Sequence, residues 1–225
     1  MDKLLGDFMK GSTKNIENAL AALKNGKMIV IFDGEDREGE ADLVFSARFA
    51  TQKKIETLRK YGGGLICAAI EKKSADYAGL PFFTDILEKS GTLLNRISCR
   101  KTAYGDKPAF SLPINHCNVY TGITDNDRAL TIRKLDEAVH QGMRNFAKHF
   151  YAPGHVFLLI GRGLKNRRGH TELALELARR SGLNGVMVLC EMLGRGNALS
   201  KEGAKKYAQV HKLVFMEGKE IIRSV

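Results

Sequence analysis

Two apolar runs, Met28-Ile-Val-Ile-Phe32 and Leu43-Val-Phe45, enclose the stretch Asp33-Gly-Glu-Asp-Arg-Glu-Gly-Glu-Ala-Asp42. The runs read as buried strands, so the stretch between them reads as a loop anchored at both ends. It carries six carboxylates (Asp33, Glu35, Asp36, Glu38, Glu40 and Asp42) against one cation, Arg37. Carboxylates this close on an anchored loop repel one another unless a counter-charge is supplied, and a hard divalent cation such as Mg²⁺ suits them. The competing reading is a solvated acidic turn. Against it stands the spacing: Glu38, Glu40 and Asp42 alternate, and an extended backbone directs alternate side chains to one side.

With 225 residues, the chain is long enough for one large domain with a real core or for two small ones. No linker, repeat or low-complexity segment divides it, which favours a single domain over residues 1–225. A hydrophobic content of 44% and a charged content of 27% are those of an ordinary globular protein. No apolar run reaches the roughly 20 residues that span a bilayer, and the N-terminus lacks the apolar segment of a signal peptide. Cys67, Cys99, Cys117 and Cys190 are irregularly spaced without a Cys-x-x-Cys pair. That pattern argues against a zinc knuckle or disulfide scaffold and favours a reducing, cytoplasmic location.

The net charge is +11, although the acidic loop alone is strongly negative; outside it, 35 basic residues face 19 acidic ones. Such an excess suits nucleic acid or an anionic metabolite. The lysines, however, are spread along helical stretches (Lys53, Lys54, Lys72, Lys73, Lys205, Lys206) rather than interleaved with aromatics, as on a solvated surface.

Taken in order, Ile16, Ala19, Leu20 and Leu23 share a helical face, and Gly26 ends that helix. Thr51 is placed to cap a helix carrying Ile55 and Leu58, which stops at Gly62-Gly-Gly64. The three glycines mark either a flexible corner or a close backbone approach to a ligand. In the strand Leu65–Ile70 that follows, Cys67 reads first as a core cysteine. Residues 81–110 are irregular and polar, a candidate substrate-covering loop. A strand over Ser111–Val119 leads to turn chemistry at Thr121-Gly-Ile-Thr-Asp-Asn-Asp-Arg128, after which Thr131 is placed to cap a helix through Leu135, Ala138 and Val139.

A second informative region begins at Ala152-Pro-Gly-His155, with His155 opening a strand over Val156–Ile160. The loop Gly161-Arg-Gly-Leu-Lys-Asn-Arg-Arg-Gly-His-Thr171 then enters a helix over Glu172–Ala178. Free N–H groups and the dipole at such a helix start attract a phosphate, with Arg162, Lys165, Arg167 and Arg168 as its partners. No Walker A spacing is present. His170 reads equally as a metal ligand or a helix cap. Glu191 ends the strand Gly185–Cys190, where loops gather. A helix after Ser200, a strand over Leu213–Met216 and a short helix close the chain. The alternation of helices with apolar strands predicts an α/β fold of the α+β type, a mixed sheet covered by helices in one domain. The absence of GxGxxG after the first strand argues against a dinucleotide-binding unit. Together the features point to a metal-dependent enzyme acting on a small phosphorylated metabolite, with Glu191 and His155 as acid/base groups.

Asp36-Arg-Glu-Gly-Glu-Ala-Asp42, Gly64-Leu-Ile-Cys67, Thr121–Arg128, Pro153-Gly-His155, Arg167-Arg-Gly-His-Thr-Glu172 and Cys190-Glu191 are six motifs. In this order they resemble the series of the 3,4-dihydroxy-2-butanone 4-phosphate synthase family, over roughly residues 14–223. The resemblance implies a lyase of riboflavin biosynthesis that converts D-ribulose 5-phosphate to L-3,4-dihydroxy-2-butanone 4-phosphate and formate. It implies Mg²⁺ (or Mn²⁺) as cofactor and a homodimer with active sites at or near the subunit interface, with neither nucleic acid nor membrane as partner. Carried onto this chain, Glu38 and His170 are the metal ligands. Arg37, Asp42, Arg167, Arg168, Gly169, His170 and Thr171 contact the sugar phosphate. His155 and Glu191 match catalytic positions, while Asp33, Glu40, Cys67 and Thr121 line the pocket. The group that takes the first proton stays open among Asp42, Glu40 and Glu191. Two departures from the family are Gly39, where many relatives have Asn, and the absence of an Arg directly after the strand, for which Arg162 can substitute. A GTP cyclohydrolase II domain is not expected.

Two rival classes differ in their consequences. A nucleic-acid-binding module would need its basic residues on one face and salt-dependent binding, and six clustered carboxylates oppose it. A Mg²⁺-dependent phosphoryl-transfer enzyme would need a kinase or Walker motif set, which is absent.

Overall fold

The computed structural model describes residues 2–91, 93–98, 102 and 104–224, with side chains from Thr13 onward. Helix α1 (Asp2–Lys24) precedes strands β1 (Ile29–Phe32) and β2 (Ala41–Ser46), and a 3₁₀ turn over Ala47–Phe49 leads to α2 (Gln52–Tyr61). Then follow β3 (Cys67–Glu71), α3 (Lys72–Tyr77), α4 (Phe83–Lys89), α5 (Leu93–Ile97), β4 (Phe110–His116), α6 (Asp125–His140) and α7 (Phe146–His149). β5 (Phe150–Gly161), α8 (His170–Arg180), β6 (Met187–Glu191), α9 (Lys201–Val210), β7 (Val214–Glu217) and α10 (Gly218–Arg223) complete it. The strands form one mixed sheet in the order β4-β5-β3-β6-β2-β1-β7. β1 pairs antiparallel with β2 and parallel with β7, and β3 pairs parallel with β5.

All four residues of β1 are buried, and so are all six of β2. A strand apolar on both faces must be covered on both faces. On one side Val30, Phe32, Leu43, Phe45, Ala68 and Val188 pack with residues of α2, α6 and α9. On the other, Ile29, Ile31, Val44, Cys67, Met187 and Leu189 pack with residues of α1, α8 and α10. Burying each such Ile, Leu or Phe contributes on the order of 1.5–3 kcal/mol. The alternation along β2 sends Asp42 and Val44 to the face covered by α8. No described helix is long and apolar enough to cross a membrane.

Thr51 caps α2 as expected, its hydroxyl accepting from the Lys54 amide. Of the glycines after it, Gly62 and Gly63 make a close approach, but to protein: a Cβ on Gly62 would stand 2.7 Å from Cys190 Sγ and from the Leu58 carbonyl. The adjacent Gly63 N–H donates to the Glu191 carbonyl at 2.6 Å. This turn therefore braces the end of β6.

Three sequence expectations are corrected. Residues 81–110 contain α4 and α5, elements of seven and five residues that are too short to leave a helical period in sequence. Helix α6 starts at Asp125, capped by Thr124, whose hydroxyl accepts from the Asp127 amide, while the Thr131 hydroxyl accepts from the His116 amide at 3.1 Å. The cap pair Thr124/Asp127 lay within what reads as turn chemistry. Finally, β5 begins at Phe150, because its first residues pair with β4 across a register shift at Ile114/Asn115. Pro153-Gly154, which reads as a break, sits inside this irregular pairing. A Cβ on Gly154 would lie 2.0 Å from the Ile114 carbonyl carbon, where backbone rather than a movable side chain blocks it. Gly154→Ala is expected to destabilise the protein by at least about 2 kcal/mol in urea unfolding, as overpacking against backbone does.

Candidate active site

The site forms where the start of α8 lies over the ends of β2 and β6. Asp42 and Glu191 face each other in register across the β2/β6 ladder. α8 begins at His170, with Gly169 as its N-cap. His170 is buried, its Nδ1 3.4 Å from Glu38 Oε2 and its Nε2 3.6 Å from Asp42 Oδ1. Nε2 also lies 3.1 Å from the Glu40 carbonyl. Together with Cys67, Thr102, Tyr104, Arg167, Thr171 and Glu191, these side chains border a cavity of about 170 Å³.

The acidic loop is shaped by Asp33. Its buried carboxylate accepts from the amides of Gly34 (2.8 Å), Glu38 (3.1 Å) and Glu40 (3.2 Å). These bonds curl the loop so that Glu38 reaches His170. Asp33, Glu38 and His170 each offer a ligand atom, all within 4.8 Å of one another. The Asp33 oxygens are already committed to loop amides, which makes Asp33 the organiser and leaves Glu38 and His170 as the groups able to take a cation.

Arg167 is buried beside them. Its Nη1 donates to Glu172 Oε2 at 2.7 Å, and Nη2 is 3.5 Å from Glu38. The other Glu172 oxygen accepts from the Arg162 amide at 2.9 Å. The Tyr104 hydroxyl donates to Glu38, and Arg37 lies over the Tyr104 ring while pairing with Asp106 at 2.9 Å.

Electrostatics divide the carboxylates. Burial works to raise the Glu38 carboxyl, but hydrogen bonds from His170 and Tyr104 and the charges of His170 and Arg167 outweigh it and hold it at about 2. Burial, with the neighbouring Glu191, Glu38 and Glu40, pushes Asp42 well above the carboxylate range against the pull of His170. Burial raises Glu40 and Glu191 as well. Burial disfavours a charged His170, yet Asp42, Glu38 and Asp33 overcome it and lift the ring to about 10. The Cys67 thiol is raised by burial and by Glu191 and Asp42, so it stays protonated. One Asp42 oxygen and Arg167 Nε are buried without a hydrogen-bond partner among the described residues. These two atoms are met only at ion-pair distance, by His170 at 3.6 Å and by Asp106 at 3.5 Å, and with an anionic Glu38 beside the imidazole the cavity suits a polar, anionic ligand together with a cation.

Of the residues named from sequence, Glu38, Asp42, Cys67, Arg167, His170, Thr171 and Glu191 border the one cavity. Arg37 and Arg168 instead border an adjoining cleft of about 420 Å³ with Lys201, Lys219 and Arg223. Arg162 stacks on Phe82 at 4.0 Å and donates to the Lys107 and Pro108 carbonyls, so it ties Phe82 to Lys107-Pro108 and does not border the cavity. His155 and Thr121 do not border the cavity. The His155 amide donates to Asn115 at 2.9 Å, and Thr121 bonds to Asp127. Sequence reasoning missed Tyr104, Asp106 and Glu172. Glu172 stood in view inside the Arg167–Glu172 motif, whereas Tyr104 and Asp106 lie in the segment that reads as an irregular loop.

Fold and site define a class, an α/β protein whose sheet carries a buried carboxylate–imidazole centre fitted for a cation and an anionic ligand. The family model described as 3,4-dihydroxy-2-butanone 4-phosphate synthase matches residues 17–224. The chain belongs to that family. It is 40% identical over 217 residues to the 3,4-dihydroxy-2-butanone 4-phosphate synthase of Methanothermobacter thermautotrophicus, covering 93% of this chain and 95% of the relative. The Methanosarcina mazei synthase is 42% identical over 231 residues, covering 97% and 94%. A crystal structure of 3,4-dihydroxy-2-butanone 4-phosphate synthase in complex with two magnesium ions superposes with a TM-score of 0.77 at 27% identity, covering 93% of this chain and 95% of that one.

The Arg167–Glu172 pair supplies a test of how the site is held. Glu172→Ala leaves a buried guanidinium without its partner and the Arg162 amide without an acceptor, and is expected to cost about 3–5 kcal/mol in denaturant unfolding.

Proposed function

We propose that this chain is a 3,4-dihydroxy-2-butanone 4-phosphate synthase, a lyase of riboflavin biosynthesis that converts D-ribulose 5-phosphate to L-3,4-dihydroxy-2-butanone 4-phosphate and formate. The observation that carries the reading is the convergence of Glu38, Asp42, His170 and Glu191 at one cavity in a chain of this family. Residues 1–225 act as one synthase domain, with about 14–223 as its core, in the cytoplasm. Glu38 and His170 would hold Mg²⁺ (or Mn²⁺), which fits the anionic Glu38 and the Asp42 oxygen that accepts no hydrogen bond. Bound there, the ion supplies Lewis-acid stabilisation of negative charge on adjacent substrate oxygens.

The chain's own groups do the rest. Arg167, Gly169 and Thr171 hold the sugar phosphate around the start of α8, and Arg37 and Arg168 add positive charge from the neighbouring cleft. Asp42 and Glu191, raised by burial, change protonation closer to neutral pH than ordinary carboxyls. They take and return protons at the carbons next to the carbonyl as the skeleton rearranges. The Cys67 thiol packs against the same carbons as a neutral group. The protein works as a homodimer. His155, the acid/base histidine, and Thr121 lie outside the cavity of their own chain, so they reach the active site of a second copy.

D-Ribulose 5-phosphate is expected to release formate in the presence of Mg²⁺ and to release none in EDTA. Glu38→Gln is expected to lower the rate at least about 100-fold, several kcal/mol of charge stabilisation being lost. Mixing Glu38→Gln with His155→Ala protein should restore part of the activity, since hybrid dimers contain one intact site. Absence of formate from folded, Mg²⁺-loaded protein would sink the reading, and inorganic phosphate without formate would favour phosphate hydrolysis.

Cation binding also has a sign in pH. The metal-free His170 titrates at about 10, so at neutral pH it is protonated and must lose that proton to become a ligand. Mg²⁺ affinity therefore rises with pH between 7 and that value. Calorimetry in buffers of different ionisation enthalpy should show about one proton released per ion bound, and less in His170→Asn.

A further inference from the structure

A second set of ligating side chains lies away from the active-site cavity, at the edge of the sheet. β4 ends at His116, which pairs with Phe150, the first residue of β5. Cys117 and His149 flank that pair, one leaving β4 and the other entering β5. His116, Cys117 and His149 each offer a ligand atom, and all three atoms lie within 4.8 Å of one another.

We propose that His116, Cys117 and His149 form a binding site for a borderline transition-metal dication of the Zn²⁺ class, which staples the end of β4 to the start of β5. The donor set selects this chemistry: two imidazoles and a thiolate suit Zn²⁺ and Co²⁺, whereas Mg²⁺ takes oxygen ligands. Tetrahedral Zn²⁺ sets its ligand atoms roughly 3.5 Å apart, so the cluster needs only a modest contraction.

The backbone is already set for it. The Cys117 amide donates to the His149 carbonyl at 2.8 Å, and the His116 amide donates to the Thr131 hydroxyl at 3.1 Å. The two imidazole rings are stacked, 4° between planes and 6.4 Å between centroids, so the exposed His149 ring must rotate to bring both in-plane lone pairs onto one ion. Cys117 and His149 are exposed beside the buried His116. Coordination displaces the hydrogen bond from the Cys117 thiol to Asn118 Oδ1 at 3.3 Å and, where His116 binds through Nδ1, the Asn118 amide to that nitrogen at 3.2 Å. Cys117 binds as the thiolate, and its proton passes to solvent. A fourth position is left for water.

The mechanical result follows from topology. The connection between Cys117 and His149 carries α6 and α7, so an ion here closes that whole segment at its base. Closing a long loop by a metal clip restricts the unfolded chain more than the folded one.

Cobalt substitution tests the proposal with a spectroscopic readout. Wild-type protein titrated with Co²⁺ is expected to develop a sulfur-to-cobalt charge-transfer band that saturates at one equivalent. The band should disappear in Cys117→Ser and persist in Glu38→Gln, whose lesion is confined to the other site. His149→Ala should weaken Co²⁺ binding at this site by at least about ten-fold. No charge-transfer band in the wild type would overturn the proposal. So would a band that survives Cys117→Ser, since it would then come from another thiol such as Cys67.

Discussion

The site depends on a single buried carboxylate, that of Asp33. Asp33 accepts three amides of its own loop, and this fixes a turn that would otherwise be driven apart by its own charge. Three hydrogen bonds to an ionised acceptor, each on the order of 1.5–3 kcal/mol, offset repulsion among the neighbouring carboxylates. With the loop curled, Glu38 meets His170 from one side and Asp42 meets it from the other. The imidazole becomes the counter-charge of the loop while the cavity holds only protein.

That arrangement is possible because the sheet is covered on both faces. β2 is buried throughout, so Asp42 cannot turn to solvent, and its desolvation raises its proton affinity. Glu191 is held opposite by the β2/β6 register and from behind by the Gly63 amide. α8, seated on the same face through Leu173, Ala174 and Leu177, brings His170 and Arg167 to the strand ends. The core and the chemistry thus share one set of constraints. A change in helix seating moves a ligand, and a change in loop charge alters the protonation of the strand-end carboxylates.

Some of this was legible in sequence for definite reasons. β1 and the Leu43-Val-Phe45 run of β2 are short apolar stretches around a charged loop, and Thr51 is a cap three residues ahead of the amide it binds. Such patterns are local. The mis-set start of α6 had a local cause too: Thr124 with Asp127 was as good a cap as Thr131, but it stood among residues that also suit a turn. Tyr104 and Asp106 were invisible because their partners, Glu38, Arg37 and Arg167, are more than sixty residues away or across the sheet. The extent of β5 was hidden by Pro153 and Gly154, which read as a break and are accommodated by an irregular pairing with β4.

The amino-acid sequence by itself determined the α/β class, the anchored acidic loop, the apolar strands and the six motifs that mark the family, because each is written in neighbouring residues. Tertiary structure alone decided which charged groups face one another. It set Glu38 against His170, paired Arg167 with Glu172, left Arg37 and Arg168 in an adjoining cleft and kept His155 on the Asn115 side of the sheet. It also brought Cys117 and His149 together from the two ends of a long connection. The reason is physical: hydrophobic periodicity acts along the chain, whereas charge, burial and proton affinity depend on distances that exist only after strands and helices have packed.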